Sequence, residues 1–468
     1  MQFNSLEFLF FCVIFFALWP WFCSGNNRRW GFLTVASFVF YGWWDWRFVL
    51  LLVGNGLIDF YAAEAIVRWP TAKKFWLFLS LTGNLGALAL FKYLNFLTVN
   101  LNELLLFFGA ETQIPVVNLL LPVGISFYTF QSMSYTIDVY RGDLKPTHNL
   151  LHFFAYLALF PQLVAGPIVR AADLLPQLLS APPVPEAMRW RGTQLVAAGL
   201  FKKMVIADSV AIAVNRAFGS PELDGGCLFW WLATAAFAVQ IYCDFSGYSD
   251  IARGLANWMG YEFCVNFDHP YAASSLRDFW GRWHVSLSTW FRDYVYIPLG
   301  GSRQGALRSH VNMWVTMLIS GIWHGANWTF VAWGAFHALF LSVERMTCFP
   351  ERLMKIPGGR FMASLITLML VLVSWVFFRA DNMTQALGII VTMFDVSTFR
   401  WSDIGLLNMR SIVLAVLFLL VELLSPLRLY LPTRVSLPVR LQPALVALVL
   451  VSCVYFRGPG GTFIYFQF

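Results

Sequence analysis

Long apolar stretches separated by short polar segments make up most of this chain. Three runs, 31–64, 227–259 and 311–345, are longer than the roughly 20 apolar residues of one simple crossing, so we expect tilted, paired or broken helices there. The pattern predicts an all-α polytopic integral membrane protein with about 10–12 transmembrane or re-entrant helices. The predicted spans are 6–22, 31–53, 75–97, 116–137, 151–168, 193–215, 227–258, 311–343, 362–378, 411–425 and 442–456.

The composition agrees with a membrane protein and excludes an ordinary soluble one. Hydrophobic residues make up 59% of the chain and charged residues only 12%, whereas soluble domains average about a quarter charged. No basic residue precedes the first run, Leu6–Phe22, and it lacks a small-residue cleavage site, so we expect a retained span. The net charge of +7 suits a membrane protein with basic loops. It does not indicate binding to nucleic acid, since no basic patch stands on a polar face.

The segment from Glu262 to His310 is too polar to span a bilayer, yet it is rich in aromatic residues. Within it, apolar residues recur at helical spacing from Leu276 to Trp290. The opposite side carries Arg277, Asp278, Arg282 and Ser286. This pattern predicts one amphipathic helix, either at the membrane interface or re-entrant within the protein.

Polar side chains inside an apolar helix are costly, so they indicate a lined cavity or a hydrogen bond between helices. Such a run follows Trp230–Ile241 and contains Asp244, Ser246 and Tyr248. Both interpretations remain open for Asp244, because a carboxylate that holds two helices together produces the same pattern.

Arg282, Trp283 and His284 form a second group, followed at short distance by Arg292. The two arginines could neutralise phosphates of a cofactor, pair with neighbouring aspartates, or contact lipid headgroups. His284 could be a functional residue or make a structural hydrogen bond.

The third group, Ser320–Thr329, contains Trp323, His324 and Asn327. His324 and Asn327 are three residues apart and are predicted to share a helix face. Gly321 and Gly325 would let another backbone or a slender ligand approach closely. Imidazole titrates near neutral pH, so His324 could act as a general base or be a packed histidine. His337 lacks this context and is interpreted as packed.

Common catalytic signatures such as HExxH, the Walker loop and GxSxG are absent from the sequence. A general-base histidine without its own nucleophile suits direct acyl transfer, in which the base deprotonates an acceptor hydroxyl.

With these motifs in this order, the chain resembles the membrane-bound O-acyltransferase family, and specifically its bacterial branch that serves O-acetylation of exopolysaccharides of the alginate or cellulose type. The resemblance runs nearly from end to end. The segments that carry it are Ser37–Trp44, Phe91–Tyr93, Leu121–Phe130, Phe160–Pro167, Phe201–Lys203, Asp244–Asp250, Trp283–His284, Trp323–Asn327 and Phe463–Phe468.

The resemblance implies a single family domain over 1–468, with helices around a central tunnel. It makes His324 the expected catalytic base and His284 the second functional histidine. Lys202 and Lys203 are expected at the cytoplasmic edge as an anchor. The residues expected to line the tunnel or contact substrate are Asp244, Ser246, Tyr248, Arg282, Trp283, Arg292, Trp323 and Asn327.

The resemblance also implies acetyl transfer across the bacterial inner membrane. Acetyl-CoA is the expected donor substrate, with no bound cofactor and no metal. A periplasmic acetyltransferase partner and polysaccharide synthase machinery are the expected partners, and Asn327 is a candidate oxyanion donor. Two other classes remain open: a transporter or channel for an acyl-carrying species, and a structural scaffold for a synthase complex.

Overall fold

The structure, a computed structural model, describes residues 1–110, 112–117, 119–180, 183–220, 225–428, 438–461 and 463–464. These residues form α-helices joined by short turns and contain no strand, which confirms the all-α prediction. The chain divides into two compact units. The first contains Met1–Thr193 and Ile251–Cys264, and the second contains Gln194–Asp250 and Val265–Phe468.

The first unit is built around α3, α4 and α6, which pack on one another. Helix α6 is buried along nearly its whole length although it carries many hydroxyl groups. A π-helical turn, Ala89–Tyr93, follows α4. The helices wholly within this unit are α1 (Leu6–Phe22), α2 (Asn26–Gly42), α3 (Arg47–Arg68), α4 (Lys73–Leu88), α5 (Leu94–Phe107), α6 (Ile125–Arg141), α7 (Leu150–Leu157), α8 (Phe160–Leu163) and α9 (Ala171–Leu179).

Helices α10 (Glu186–Leu200) and α12 (Cys227–Met259) contribute residues to both units. In the second unit, π-helical turns occur at Phe201–Ala207 and Arg292–Tyr296. The helices wholly within it are α11 (Asp208–Gly219), α13 (Leu276–Arg282), α14 (Val285–Phe291), α15 (Ala306–His324), α16 (Trp328–Thr347), α17 (Phe349–Leu353), α18 (Gly359–Arg379), α19 (Met383–Phe394), α20 (Met409–Arg428) and α21 (Gln442–Tyr455).

Several of these helices are suited to a bilayer. In the described part of the chain, four helical segments are long and apolar enough to cross a membrane: Arg47–Arg68, Pro70–Phe107, Cys227–Met259 and Gly359–Arg379. Leu6–Phe22, Met383–Phe394 and Gln442–Tyr455 are shorter apolar helices. The chain is therefore a multi-pass helical membrane protein.

The three overlong apolar runs have different outcomes. Run 31–64 is a pair of helices, α2 and α3, and run 311–345 is the pair α15 and α16. Run 227–259 is one continuous helix, α12. The predicted span 151–168 is wrong, because Leu159 leaves the helical region after α7 and the next helix, α8, has only four residues.

Glycines allow α15 and α16 to pack closely. A Cβ on Gly321 would collide with the carbonyl oxygen of Phe330, and a Cβ on Gly334 would lie 2.5 Å from the carbonyl oxygen of Met317. The prediction that Gly321 admits another backbone is therefore confirmed. This contact matters for the site because α15 ends at His324.

We expect Gly334→Val to destabilise the protein, since overpacking a tight contact typically costs about 1–3 kcal/mol. Gly388→Ala is the matched control. Gly388 is also helical, but a Cβ there has no atom within 4 Å. Thermal unfolding in detergent, followed by tryptophan fluorescence, should show a lower midpoint for Gly334→Val than for wild type. The midpoint of Gly388→Ala should equal that of wild type. Equal midpoints would contradict the close packing of α15 and α16.

Candidate active site

The predicted amphipathic helix from Leu276 to Trp290 is broken in its middle. Helix α13 ends at Arg282, Trp283 is extended, and His284 adopts the left-handed conformation with φ 43° before α14 begins. A positive φ is uncommon for a residue with a side chain. The predicted polar side is also wrong at Ser286, which is buried. The break results from long-range pairing that helical periodicity does not report.

Asn266 is the residue that holds this break in place. Its backbone carbonyl accepts a hydrogen bond from Val285 N at 2.9 Å, and its side-chain Oδ1 accepts from Ser286 Oγ at 2.9 Å. The same Oδ1 lies 3.2 Å from Nδ1 of His284. Asn266 was missed by the sequence analysis, because a lone asparagine in a loop carries no recognisable signal.

His284 is fully buried against aromatic rings. Its ring centroid lies 4.7 Å from that of Phe245 and 6.1 Å from that of Phe267. Burial lowers the pKa of His284 to about 3, so the imidazole is neutral near pH 7. The hydrogen bond between Asn266 and the Nδ1 side of the ring fixes the ring orientation.

Asp244 belongs to a buried cluster of charges. Lys203 Nζ lies 2.9 Å from Asp244 Oδ1 and 2.8 Å from Asp208 Oδ1. The other oxygen of Asp244 accepts a hydrogen bond from Ile464 N at 2.8 Å, and Lys203 Nζ donates to Gly461 O at 3.3 Å. Asp244 therefore makes the contacts that the helix-tying interpretation requires, and the cluster also binds the described residues of the chain segment 458–464.

The expectation that Lys203 is an interfacial anchor is wrong, because its side chain is buried between two carboxylates. Its neighbour Lys202 pairs with Asp250 at 2.7 Å. Both lysines of the Phe201–Lys203 motif thus bind aspartates of α12. The sequence contained a signal for this pairing. Two lysines lie inside a predicted span, and a buried cation requires a buried partner.

The remaining residues of the α12 run surround this cluster. Gly247 allows close contact, since a Cβ there would lie 2.7 Å from the carbonyl oxygen of Gly199. Ser246 is buried, and its Oγ has no hydrogen-bond partner among the described residues. The ring of Tyr248 lies 5.1 Å from that of Phe463. Of the Phe463–Phe468 motif, 465–468 lie outside the described residues.

His324 is the last residue of α15 and is 4% exposed. Its ring lies 4.9 Å from Trp333, 5.0 Å from Trp323 and 5.1 Å from Phe378. The ring of Trp375 lies 5.3 Å from that of Phe378. We call Trp323, Trp333, Trp375 and Phe378 the aromatic cluster.

The prediction that His324 and Asn327 share a helix face is wrong. Gly325 is extended, and Asn327 is the N-cap of the next helix, α16. Its Oδ1 accepts from Thr329 N at 3.0 Å, and its Nδ2 donates to Asp381 O at 2.9 Å. The amide of Asn327 therefore caps α16 and ties it to the start of the α18–α19 loop.

The aromatic cluster connects the two histidine segments. Trp283, which precedes His284, has its ring 5.0 Å from that of Trp375, and Trp375 contacts Phe378. Phe378 in turn contacts His324. The structure thus brings Trp283, Trp323 and the two histidines into one packed region of the second unit.

Both arginines of the candidate site have acidic partners. Arg282 pairs with Asp278 at 2.7 Å, and Arg292 pairs with Asp293 at 2.7 Å. The sequence left three interpretations open for Arg282 and Arg292. The structure supports the one in which they pair with neighbouring aspartates. Arg292 also borders a cavity of about 170 Å³ whose lining includes Ser320, one turn before His324.

Residues 143–383 match the model of the membrane-bound O-acyltransferase family. The chain is also 40% identical over 427 residues to a probable alginate O-acetylase AlgI of Pseudomonas aeruginosa. The alignment covers 90% of this chain and 80% of that protein. The chain belongs to the membrane-bound O-acyltransferase family. It is an acyltransferase, which decides against a transporter or scaffold without transfer chemistry.

The chain is also similar to two proteins named for other polymers. A peptidoglycan O-acetyltransferase of Helicobacter pylori is 34% identical over 391 residues, covering 77% of this chain and 73% of that protein. A teichoic acid D-alanyltransferase of Streptococcus thermophilus is 29% identical over 234 residues, covering 47% and 56% respectively. All three relatives are named for transfer of a small acyl group to a surface polymer.

The buried state of His284 predicts a pH-dependent stability. In the unfolded chain its pKa returns to about 6.5, so protons below that pH stabilise the unfolded state. The contribution of neutral His284 is complete above about pH 6.5 and is lost as the pH falls toward about 3. We expect wild type to lose up to about 1.4 kcal/mol per pH unit more than His284→Gln in this window. Unfolding free energies in mixed micelles between about pH 7 and pH 5 measure the difference, and parallel pH curves would contradict it.

Proposed function

We propose that this protein transfers acetyl groups from cytoplasmic acetyl-CoA, across the bacterial inner membrane, for O-acetylation of an exopolysaccharide of the alginate or cellulose type. The observation that carries the proposal is the extended similarity to the probable alginate O-acetylase AlgI, which spans 90% of this chain. The peptidoglycan O-acetyltransferase supports the choice of acetyl over other acyl groups.

In the proposed reaction His324 is the general base. An imidazole nitrogen of His324 takes the proton of an acceptor hydroxyl, whose oxygen attacks the thioester carbonyl carbon. The tetrahedral intermediate collapses, the C–S bond breaks and a C–O ester bond remains. The proton moves from the imidazolium to the leaving thiolate, so the products are an acetyl ester and the free thiol of CoA.

The packing of His324 suits this role. The aromatic cluster surrounds the imidazole and excludes water, which limits hydrolysis of the thioester and strengthens electrostatic interactions at the reacting atoms. The thioester is already activated, so alignment of the reactants is the main task of the protein. We propose that the cavity beside Ser320 and Arg292 receives part of the substrate.

We propose that His284 is the second functional histidine and that Asn266 is its positioning residue. The Asn266 contact at 3.2 Å holds the ring, while the neutral state of the buried imidazole leaves it able to donate or accept a hydrogen bond. Asp244 acts indirectly, because it holds Lys203 and the segment that carries Phe463. Ser246, Tyr248, Trp283 and Trp323 remain proposed substrate-contacting residues.

The partners in this proposal are those that the family resemblance implies. A periplasmic acetyltransferase partner accepts the acetyl group and passes it to the polymer, while polysaccharide synthase machinery supplies the chain. The proposal requires no metal. Among the residues that the structure describes, no group of three or more His, Cys, Asp or Glu side chains is placed to hold one.

We expect His324→Gln to abolish transfer, since loss of a general base typically costs about 10²–10⁴-fold in rate. His337→Gln is the matched control, because His337 is also a fully buried histidine of the α15–α16 pair. Both variants would be expressed in a Pseudomonas aeruginosa strain lacking its own alginate O-acetylase, and acetyl esters on secreted alginate would be measured. The strain must regain acetylation when it expresses the wild-type protein. Near wild-type acetylation in the same strain expressing only His324→Gln would contradict the assignment of His324 as the general base.

We expect Asn266→Leu to lower the turnover rate by about tenfold while leaving the KM for acetyl-CoA within about twofold. Leucine preserves the side-chain volume but removes the Oδ1 that lies 3.2 Å from Nδ1 of His284, and lost buried hydrogen bonds cost about 1–3 kcal/mol. Steady-state rates of the purified enzyme at several donor concentrations separate the two parameters. An unchanged turnover rate would show that Asn266 does not position a functional histidine.

A further inference from the structure

The first unit contains a cavity of about 780 Å³ that has no part in the proposed reaction. All of its described lining residues belong to this unit. One wall is a stripe of α1 formed by Leu9, Cys12, Val13 and Phe16, whose spacing places them on one face of the helix. A second wall contains the end of α12, where the ring of Trp258 lies 5.2 Å from that of Phe16. The volume lies within the roughly 300–1,000 Å³ of sites that bind small organic ligands.

The α1 wall of this cavity is about as long as one leaflet of a bilayer is thick. Its lining residues run from Leu9 to Pro20, a rise of about 16 Å along the helix axis. The hydrocarbon core of a bilayer is about 30 Å thick, so one leaflet contributes about 15 Å. Leu9 and Val13 are 57% and 61% exposed on an apolar helix of a membrane protein. The cavity therefore opens toward lipid along α1.

The C-terminal end of α1 brings a positive charge to the cavity. Arg29 lines the cavity, and its Nη1 donates a hydrogen bond to Cys23 O, directly after α1, at 3.2 Å. Its Nη2 donates to Asn26 Oδ1 at 2.9 Å and to Leu178 O. Ser24 lines the same end. A charged group at one end of an apolar groove is the arrangement that an amphiphilic ligand requires.

The charge of Arg29 is not balanced by the groups that contact it. Arg29 is 1% exposed, and its three hydrogen-bond acceptors are neutral oxygens. Its Nε is buried and has no hydrogen-bond partner among the residues that the structure describes. Arg189 is exposed and borders the same cavity, and neither arginine has a carboxylate within 4.0 Å in the described part of the chain. Buried charges are normally paired, so an anion is the ligand that these arginines favour.

We propose that this cavity binds an anionic phospholipid, with the phosphate at Arg29 and Arg189 and one acyl chain along the α1 stripe. A guanidinium binds phosphate oxygens through strong, charge-assisted hydrogen bonds. The acyl chain fills the apolar groove and restores the packing contacts that an empty groove lacks. The proposal is independent of the acyltransferase chemistry, which uses residues of the second unit.

Both the apolar lining and the charge are needed to select this ligand. A soluble phosphate would occupy the polar end alone and leave the stripe from Leu9 to Phe16 uncovered. A phospholipid without net charge would cover the stripe, but the cation of its own headgroup would compete with Arg29 and Arg189 for the phosphate. An anionic phospholipid covers the apolar surface and balances the charge.

Native mass spectrometry of the purified protein in detergent would measure the Kd for the first bound lipid molecule. The protein would be titrated with dioleoyl phosphatidylglycerol and, separately, with dioleoyl phosphatidylcholine, which has the same acyl chains and no net charge. We expect the Kd for phosphatidylglycerol to be lower by at least about tenfold, equivalent to about 1.4 kcal/mol. Glycerol phosphate, the soluble part of the headgroup, should not displace phosphatidylglycerol at equal concentration.

Arg189→Gln should raise the Kd for phosphatidylglycerol by about tenfold and that for phosphatidylcholine by less than about twofold, since the charge selects only the first lipid. Arg191→Gln is the matched control. Arg191 is an exposed residue of the same helix, α10, but it does not line the cavity, so its loss should change neither Kd. Arg29→Gln should remove the preference for phosphatidylglycerol, and Arg189→Gln decides alone if Arg29→Gln does not fold.

The apolar part of the site has a separate test. Val13→Trp should weaken the binding of both lipids, because the indole fills the groove beside α1. Ala17→Trp is its control, since Ala17 is an exposed residue of α1 that does not line the cavity.

Three results would overturn the proposal. The first is an equal Kd for the two lipids in wild type. The second is a preference for phosphatidylglycerol that Arg189→Gln retains as fully as Arg191→Gln does. The third is displacement of phosphatidylglycerol by glycerol phosphate, which would indicate a site for a soluble anion. None of these results would bear on the acyltransferase assignment, since no readout involves acyl transfer.

Discussion

A single lysine lies between two buried carboxylates in the second unit, and much of the candidate site depends on it. Lys203 pairs with Asp208 and Asp244, and Asp244 also accepts a hydrogen bond from Ile464 N. Removing one partner from a buried ion pair typically costs about 3–5 kcal/mol, because the charge left behind has no solvent. The cluster therefore fixes α12 relative to the chain around Lys203 and to the described residues of segment 458–464. Phe463 of that segment packs on Phe245, and Phe245 packs on His284, so the charge cluster supports the site through two aromatic contacts.

The residues that support the site differ from the proposed general base in what their side chains contact. Polar groups with local partners, such as Arg282, Arg292 and Asn327, satisfy their own charge or cap a helix. His324, at the end of α15, packs against the rings of Trp323, Trp333 and Phe378. An imidazole in such surroundings can take a proton from a hydroxyl without competition from bulk water. We propose His324 as the general base because the family resemblance assigns the catalytic base to this position, and its aromatic packing suits that role.

Hydropathy predicted the membrane class and most helices, because burial in lipid imposes a pattern on consecutive residues. Leu6–Phe22 and Gly359–Arg379 lie where the apolar runs predict them. The motifs also directed attention to both histidines. The breaks at His284 and Gly325, however, depend on contacts with residues far along the chain, and periodicity cannot report these. Asn266 and the partners of Lys203 were missed for the same reason.

The central claim, that His324 moves the proton in direct acyl transfer, is tested most directly by following both products with purified protein. Wild type and His324→Ala would each receive radiolabelled acetyl-CoA and candidate periplasmic acceptors, and release of the CoA thiol would be compared with formation of acetyl ester. We expect wild type to release one CoA thiol for each ester formed, and a well-folded His324→Ala to produce neither thiol nor ester at a measurable rate. Ester formation by His324→Ala at the wild-type rate would contradict it and leave His324 a structural residue.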